Sequence, residues 1–229
     1  MTNKKPDCGI LKELTFKPGA ELDEEALQEI LPELREKLKV ETEKRDDGDV
    51  KKIETAALEF EKKTCVRFIP RSNEADYIYI HAWEGSWSFL GKKGGAQSVS
   101  LEPGKVDRGT VLHELMHALG FHHEHCRSDR DQHIKVHEDN IKEHELGQFK
   151  RLECSGSGED LPYDYLSIMH YGRYASSSDY ISETITPTTA ARAPIGQRSG
   201  LSPLDVLRVQ RMYQPVCHRT AIFTELHTF

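Results

Sequence analysis

Residues His113 to His123 read His-Glu-Leu-Met-His-Ala-Leu-Gly-Phe-His-His. Nothing else in the chain restricts its fold as tightly. On a helix, His113 and His117 lie one turn apart and project from the same face, so both imidazoles can reach one metal ion. Glu114 follows the first of them and is placed to hold and deprotonate a water there. Gly120 can leave the helix with positive φ, which residues carrying a β-carbon resist. The chain then bends and returns His123 to the same point. Any fold that accommodates this run must therefore end a helix at Gly120 and turn sharply. Three neutral imidazoles leave one coordination position open to water, as in catalytic rather than closed structural zinc sites. A bare His-Glu-x-x-His arises by chance in ordinary helices. With Gly120 and His123 in register the pattern is far more restrictive.

The rest of the chain reads as short elements around this helix. Asp107 is placed to cap it, and Val111, Leu112, Leu115, Met116 and Leu119 form its core-facing side. Upstream, Leu22, Ala26, Leu27, Ile30 and Leu31 have helical spacing, and Lys37 to Glu43 alternates like a strand. Arg45 to Asp49 reads as a turn. A helix follows from about Val50 to Lys63, with Val50, Ile53, Ala57, Leu58 and Phe60 as its apolar stripe. Strands are expected over Val66–Ile69, Tyr77–His81 and Gln97–Leu101. Trp83 and Trp87 read as exposed aromatics beside a glycine-rich loop from Gly85 to Gly95. Ile134 to Phe149 is amphipathic and reads as helical from near Glu138. Cys154 to Asp160 is a Ser/Gly loop, and Ser176 to Arg198 has little regular pattern. Ser202-Pro203-Leu-Asp205 opens a closing helix, with Ser202 as N-cap and Pro203 in the first position. That helix ends near Tyr213.

A chain of 229 residues suits one large domain or two small lobes with a real core. No apolar run approaches the length of a membrane span. The net charge of −7 sits largely on solvated helical surface, and no basic stripe supports nucleic-acid binding. Met1 to Pro6 is polar and basic with no apolar segment after it, so no signal peptide is expected within these residues. The five cysteines, Cys8, Cys65, Cys126, Cys154 and Cys217, include no Cys-x-x-Cys pair, which argues against a cysteine-based metal site.

Four segments together resemble the astacin family of metzincin endopeptidases. His113 to Glu124 runs on into Arg127-Ser-Asp-Arg-Asp131. Lys63-Thr-Cys-Val-Arg-Phe-Ile-Pro70 is similar to the family's segment after its first long helix. Ser167-Ile-Met-His-Tyr171 resembles its Met-turn, and Ile195-Gly-Gln-Arg198 with Gly200-Leu-Ser202 its C-terminal signature. The likeness covers about Val50 to Cys217. It implies an α+β, two-lobed protease domain: an N-terminal mixed twisted sheet with long helices, then a loop-rich C-terminal lobe with the Met-turn and a closing helix. The corresponding division is 1–49 as a divergent N-terminal extension and first strand, and 50–229 as catalytic domain. Within the latter the N-lobe would run to about 120, the C-lobe over 121–217 and a tail over 218–229.

The resemblance also implies roles. His113, His117 and His123 would bind one Zn2+ per chain. Glu114 would be general base and then proton donor to the leaving amine. Met169 would form the floor under the metal, and Tyr171 would be a fifth, displaceable ligand that stabilises the oxyanion once released. His122, His125 and His170 read as non-ligands, because the family spacing already fills the site. The strand with Gln97, Ser98, Val99 and Ser100 resembles the edge strand to which an extended substrate adds as an antiparallel partner. Arg192 and Arg198 fall where the family builds the S1′ wall, which would favour an acidic residue after the scissile bond. Cys65 and Cys217 match a family disulfide. The activity implied is hydrolysis of internal bonds in polypeptide substrates by a secreted, monomeric zinc endopeptidase.

The chain departs from the family in two places. Its second disulfide is absent, with Ser86 and Lys105 near the expected positions, while Cys8, Cys126 and Cys154 are surplus. A Cys126–Cys154 bridge, or one from Cys8 to either, is the corresponding expectation. At the N-terminus, Glu124 typically pairs in the family with a newly cut α-amino group, and no such end is evident here. Residues 1–20 read as a divergent extension of an active form, with a latency segment or a cut near Ala20 as alternatives.

Overall fold

The protein is described by a computed structural model over residues 46–69, 71–153, 161–189 and 192–213. The helix expected around residues 22–31, the strand expected over 37–43, the loop at 154–160 and Cys8, Cys154 and Cys217 lie outside the described residues.

Helix α1 (Asp47–Lys63) begins earlier than its apolar stripe suggests, because the acids expected as a turn cap it instead. The Asp46 carboxylate accepts from the Asp49 N–H at 2.8 Å. Asp47 and Asp49 occupy the first turn, where the helix dipole favours negative charge. The buried apolar face is Ile53, Ala56 and Phe60, while Val50, Ala57 and Leu58 are half-buried. Val66–Ile69 is extended but is not a strand. Val66 enters the core and Phe68 packs edge-on against Phe60 at 5.3 Å, so these residues serve α1 rather than a sheet.

The N-terminal sheet has three strands, β1 (Tyr77–His81), β2 (Trp87–Ser88) and β3 (Ala96–Ser100), in the order β1-β3-β2. It is mixed: β1 runs parallel to β3, and β2 antiparallel to it. The expectation that Gln97, Ser98, Val99 and Ser100 form an edge strand is therefore corrected. They lie on the central strand, because the glycine-rich loop folds Trp87 and Ser88 back onto Ser100 and Val99. The Gln97 side chain fastens that loop, accepting from Lys93 N–H at 3.0 Å and donating to the Gly91 carbonyl at 2.8 Å.

Helix α2 (Arg108–Ala118) carries the first two motif histidines and packs against α1. Asp107 caps it by accepting from Thr110 N–H. Its apolar side, Val111, Leu112, Leu115, Met116 and Leu119, is buried as the periodicity predicts.

Beyond the motif, β4 (Ile134–Val136) pairs antiparallel with β5 (Ile185–Pro187). The amphipathic stretch after β4 is not an α-helix. It forms two 3-10 segments, Glu138–Asn140 and Glu143–Phe149. Tertiary contacts take its backbone: His137 N–H donates to Thr184 at 2.9 Å, Lys142 N–H to Ser176 at 3.0 Å, and Asn140 accepts from Ser178 at 2.8 Å. Helix α3 (Pro203–Met212) closes the fold, with Ser202 and Asp205 forming a reciprocal capping box.

Two apolar cores result, in keeping with an α+β domain of two lobes. The larger packs α1, α2 and β3 with Ile168, Met169, Leu201 and Val209. The smaller gathers Ile134, Ile141, Phe149, Tyr163 and Ile185. The motif turn lies where the two meet. Among the described residues no helix is long and apolar enough to cross a membrane.

Candidate active site

The end of α2 is built by Gly120, whose φ of +98° takes the chain out of the helix. Gly120 N–H donates to the His117 carbonyl at 2.8 Å and Phe121 N–H to the Met116 carbonyl at 3.0 Å. That pair of bonds is a Schellman termination, and it swings His123 back over α2. A β-carbon on Gly120 would meet its nearest neighbours, in Gly91 and Met212, at an ordinary 3.8 Å, so the backbone angle rather than space demands glycine. Gly120→Ala is expected to lower stability by about 1–2 kcal/mol, read by thermal denaturation, and to weaken metal binding with it.

The three imidazoles converge. His123 Nε2 lies 3.1 Å from His113 Nε2 and 3.0 Å from His117 Nε2. His113 Nδ1 faces the Ile168 carbonyl at 2.9 Å and His117 Nδ1 the Phe121 carbonyl at 2.8 Å. A carbonyl only accepts, so both Nδ1 atoms donate and both Nε2 atoms keep their lone pairs. Burial lowers the basicity of all three rings, to about 3 for His113 and about 4 for His117, and well below the usual value for His123. Neutral imidazoles with converging lone pairs are a donor set for a cation. Tetrahedral zinc with bonds of about 2.0–2.1 Å would set neighbouring nitrogens about 3.3 Å apart, close to the spacing found.

Glu114 is buried beside this cluster, and nothing among the described residues hydrogen-bonds its carboxylate. Burial pushes its carboxyl up to about 8, with the Arg198 guanidinium opposing. A carboxyl titrating near neutrality suits a group that takes and returns a proton. The Tyr171 ring lies 4.5 Å from the His123 ring and stacks on His125 at 4.1 Å. Burial raises its phenol to about 12. Met169 is buried, and its carbonyl accepts from Glu124 N–H at 3.0 Å.

The same site is characteristic of one peptidase family, astacin, whose family model matches residues 37–214. The chain belongs to the astacin family. Its relatives include the astacin-like metalloendopeptidase of Gallus gallus, 43% identical over 169 residues, which are 73% of this chain and 41% of that protein. High choriolytic enzyme 1 of Oryzias latipes is 43% identical over 167 residues, covering 72% of this chain and 61% of the relative. The chain thus spans about two-fifths to three-fifths of the length of these relatives. The solved structure of that choriolytic enzyme, a hatching enzyme zinc-protease, superposes with a TM-score of 0.72 at 41% identity, covering 76% of this chain and 86% of that one. The family is zinc-dependent, and His113, His117 and His123 present the donor set zinc takes.

Within this astacin site, the fold brings together His113, His117, His123, Glu114, Met169 and Tyr171. Arg198 is close by: its Nη1 donates to the Ile168 carbonyl at 3.1 Å and the His170 carbonyl at 3.3 Å, and its charge reaches Glu114 and Tyr171. Arg192 is exposed. His122 is exposed, while His125 and His170 are buried on other partners, Gln148 for the first and Tyr163 for the second. The expected Cys126 bridges are corrected: Cys126 is a free, buried thiol donating to the Gln148 carbonyl at 3.1 Å. Cys65 is disulfide-bonded.

Sequence reasoning missed what supports the site. Asp205 does more than cap α3: its carboxylate accepts from Ser167 Oγ at 2.6 Å and Ile168 N–H at 2.8 Å, fixing the peptide whose carbonyl holds His113. Glu124 meets no α-amino group among the described residues. Its carboxylate accepts from Asp164 N–H at 2.7 Å and Arg208 Nη2 at 2.8 Å. The acid at the third position of α3 was the available signal for Asp205. No local pattern marks Arg208.

Proposed function

We propose that this chain is a zinc-dependent endopeptidase that hydrolyses internal bonds of extended polypeptides. The convergence of three neutral Nε2 atoms beside an unpartnered buried carboxylate carries the reading. Zinc held by His113, His117 and His123 would polarise the scissile carbonyl and acidify a water. The chain's own groups do the rest. Glu114 accepts the water's proton and returns it to the departing amine. The Ile168 and Phe121 carbonyls hold His113 and His117 in the tautomer that aims their lone pairs inward. Tyr171 donates a hydrogen bond to the developing oxyanion. Tyr171→Phe is expected to lower kcat by about 10²-fold with zinc content unchanged, read by steady-state kinetics beside metal analysis.

The substrate strand adds to the outer edge of β2, not to β3. Two contacts support this: β2 ends the sheet order, and Gly91, just beyond it, donates its N–H to the His117 carbonyl at 2.8 Å. Arg198 beside Glu114 and Tyr171 supports a preference for an acidic residue after the scissile bond. The disulfide at Cys65 supports a secreted protein, and the family likeness makes Cys217 its partner. Incubation with a peptide library and mass analysis of the products tests the function. Internal cleavage that stops on chelation is expected. Release of terminal residues alone, or no cleavage, contradicts it.

A further inference from the structure

The buried carboxylate next to the third histidine has its counter-charge inside the fold. Glu124 is 5% exposed, and its backbone N–H is fixed to Met169. Its carboxylate therefore cannot move without moving His123. An ionised group in such a place must be neutralised and hydrogen-bonded. Arg127 lies at 3.5 Å but is engaged elsewhere, with two bonds of 2.8 Å to Asp129 and one of 3.1 Å to the Leu161 carbonyl. Arg208 approaches to 2.8 Å, is itself 6% exposed, and also donates to the Pro162 carbonyl at 3.2 Å. Its neighbour on α3, Asp205, stands 3.8 Å away and is already saturated by Ser167, Ile168 and Ser202. One guanidinium thus joins the turn after His123, the segment before the Met-turn and the closing helix.

We propose that Arg208 is a positioning residue for the metal site: through Glu124 it sets the approach of His123, so metal retention depends on helix α3. This rests on the zinc-site reading above. Planar guanidinium geometry matters here, because one Nη2 serves both Glu124 and Pro162 while a lysine offers only a point charge. The counter-charge also comes from within the fold, so the site needs no external cation at Glu124.

The test compares full-length wild type, Arg208→Gln, Arg208→Lys, Glu124→Gln and the Arg208→Gln/Glu124→Gln double variant. Two quantities are read: the rate of zinc release to a chelator, and the visible spectrum of the cobalt-loaded protein. Loss of a partner one shell behind a ligand typically costs about 10–100-fold in metal affinity. Arg208→Gln is expected to release zinc about tenfold faster or more and to alter the cobalt bands. Arg208→Lys should fall between it and wild type. The double variant should release zinc no faster than Glu124→Gln, because both residues act through one contact. Should Arg208→Gln not fold, Arg208→Lys against Glu124→Gln gives the same comparison. Variants at Arg208 that melt earlier but keep wild-type zinc release and spectrum overturn the proposal, as does a double variant whose effects multiply. Wild-type protein that binds neither zinc nor cobalt overturns the zinc-site reading instead.

Discussion

Glu114→Gln protein is expected to keep its zinc and lose about 10²- to 10⁴-fold in kcat, the range that a positioned general acid–base contributes. The amide has nearly the shape of the carboxylate but cannot accept the proton. Glu114 has no hydrogen-bond partner among the described residues, so the exchange strands no neighbour, and α2 keeps its buried apolar side. The imidazoles draw their orientation from the Ile168 and Phe121 carbonyls, not from Glu114. KM should therefore change little, and metal analysis should give the wild-type content. Loss of zinc together with activity would mean that Glu114 supports the ligands rather than the chemistry.

His123→Ala tests the other half of the site. Zinc-site free energies of about 10–16 kcal/mol for four ligands give about 3–4 kcal/mol each, or about 10²- to 10³-fold in affinity. The change removes one of three nitrogens and leaves the other two aimed at nothing. Zinc should be lost on dialysis against a weak chelator, and hydrolysis should fall to background. The fold should survive, because His123 lies outside both apolar cores. His122→Ala, which alters an exposed ring next door, should leave zinc content unchanged. Equal effects from the two variants would contradict the ligand assignment.

What could be read in the sequence was local. The four-residue histidine spacing, the Gly120 exit and the Ser202 cap are each decided by the backbone within one or two turns. The structure places all three where the pattern puts them. Sheet order was not legible in the same way. Gln97–Ser100 alternates as an edge strand would, but a two-residue β2 covers it, and two residues carry no periodic signal. The stretch after β4 has helical spacing, yet Thr184 and Ser176 take its backbone N–H groups across the chain. Counting thiols pairs Cys126 with another cysteine, while a carbonyl 22 residues away satisfies it. The least legible contact is Arg208 with Glu124, 84 residues apart, where an arginine on a closing helix looks like any solvated charge.

The central claim is that one zinc on three histidines makes this chain a peptidase. Stripping the metal and restoring zinc stepwise, while following hydrolysis of an internally quenched peptide, tests it most directly. Activity should be absent in the apo-protein, rise in proportion to added zinc and saturate at one equivalent per chain. Hydrolysis by metal-free protein, or none at full zinc occupancy, would contradict it.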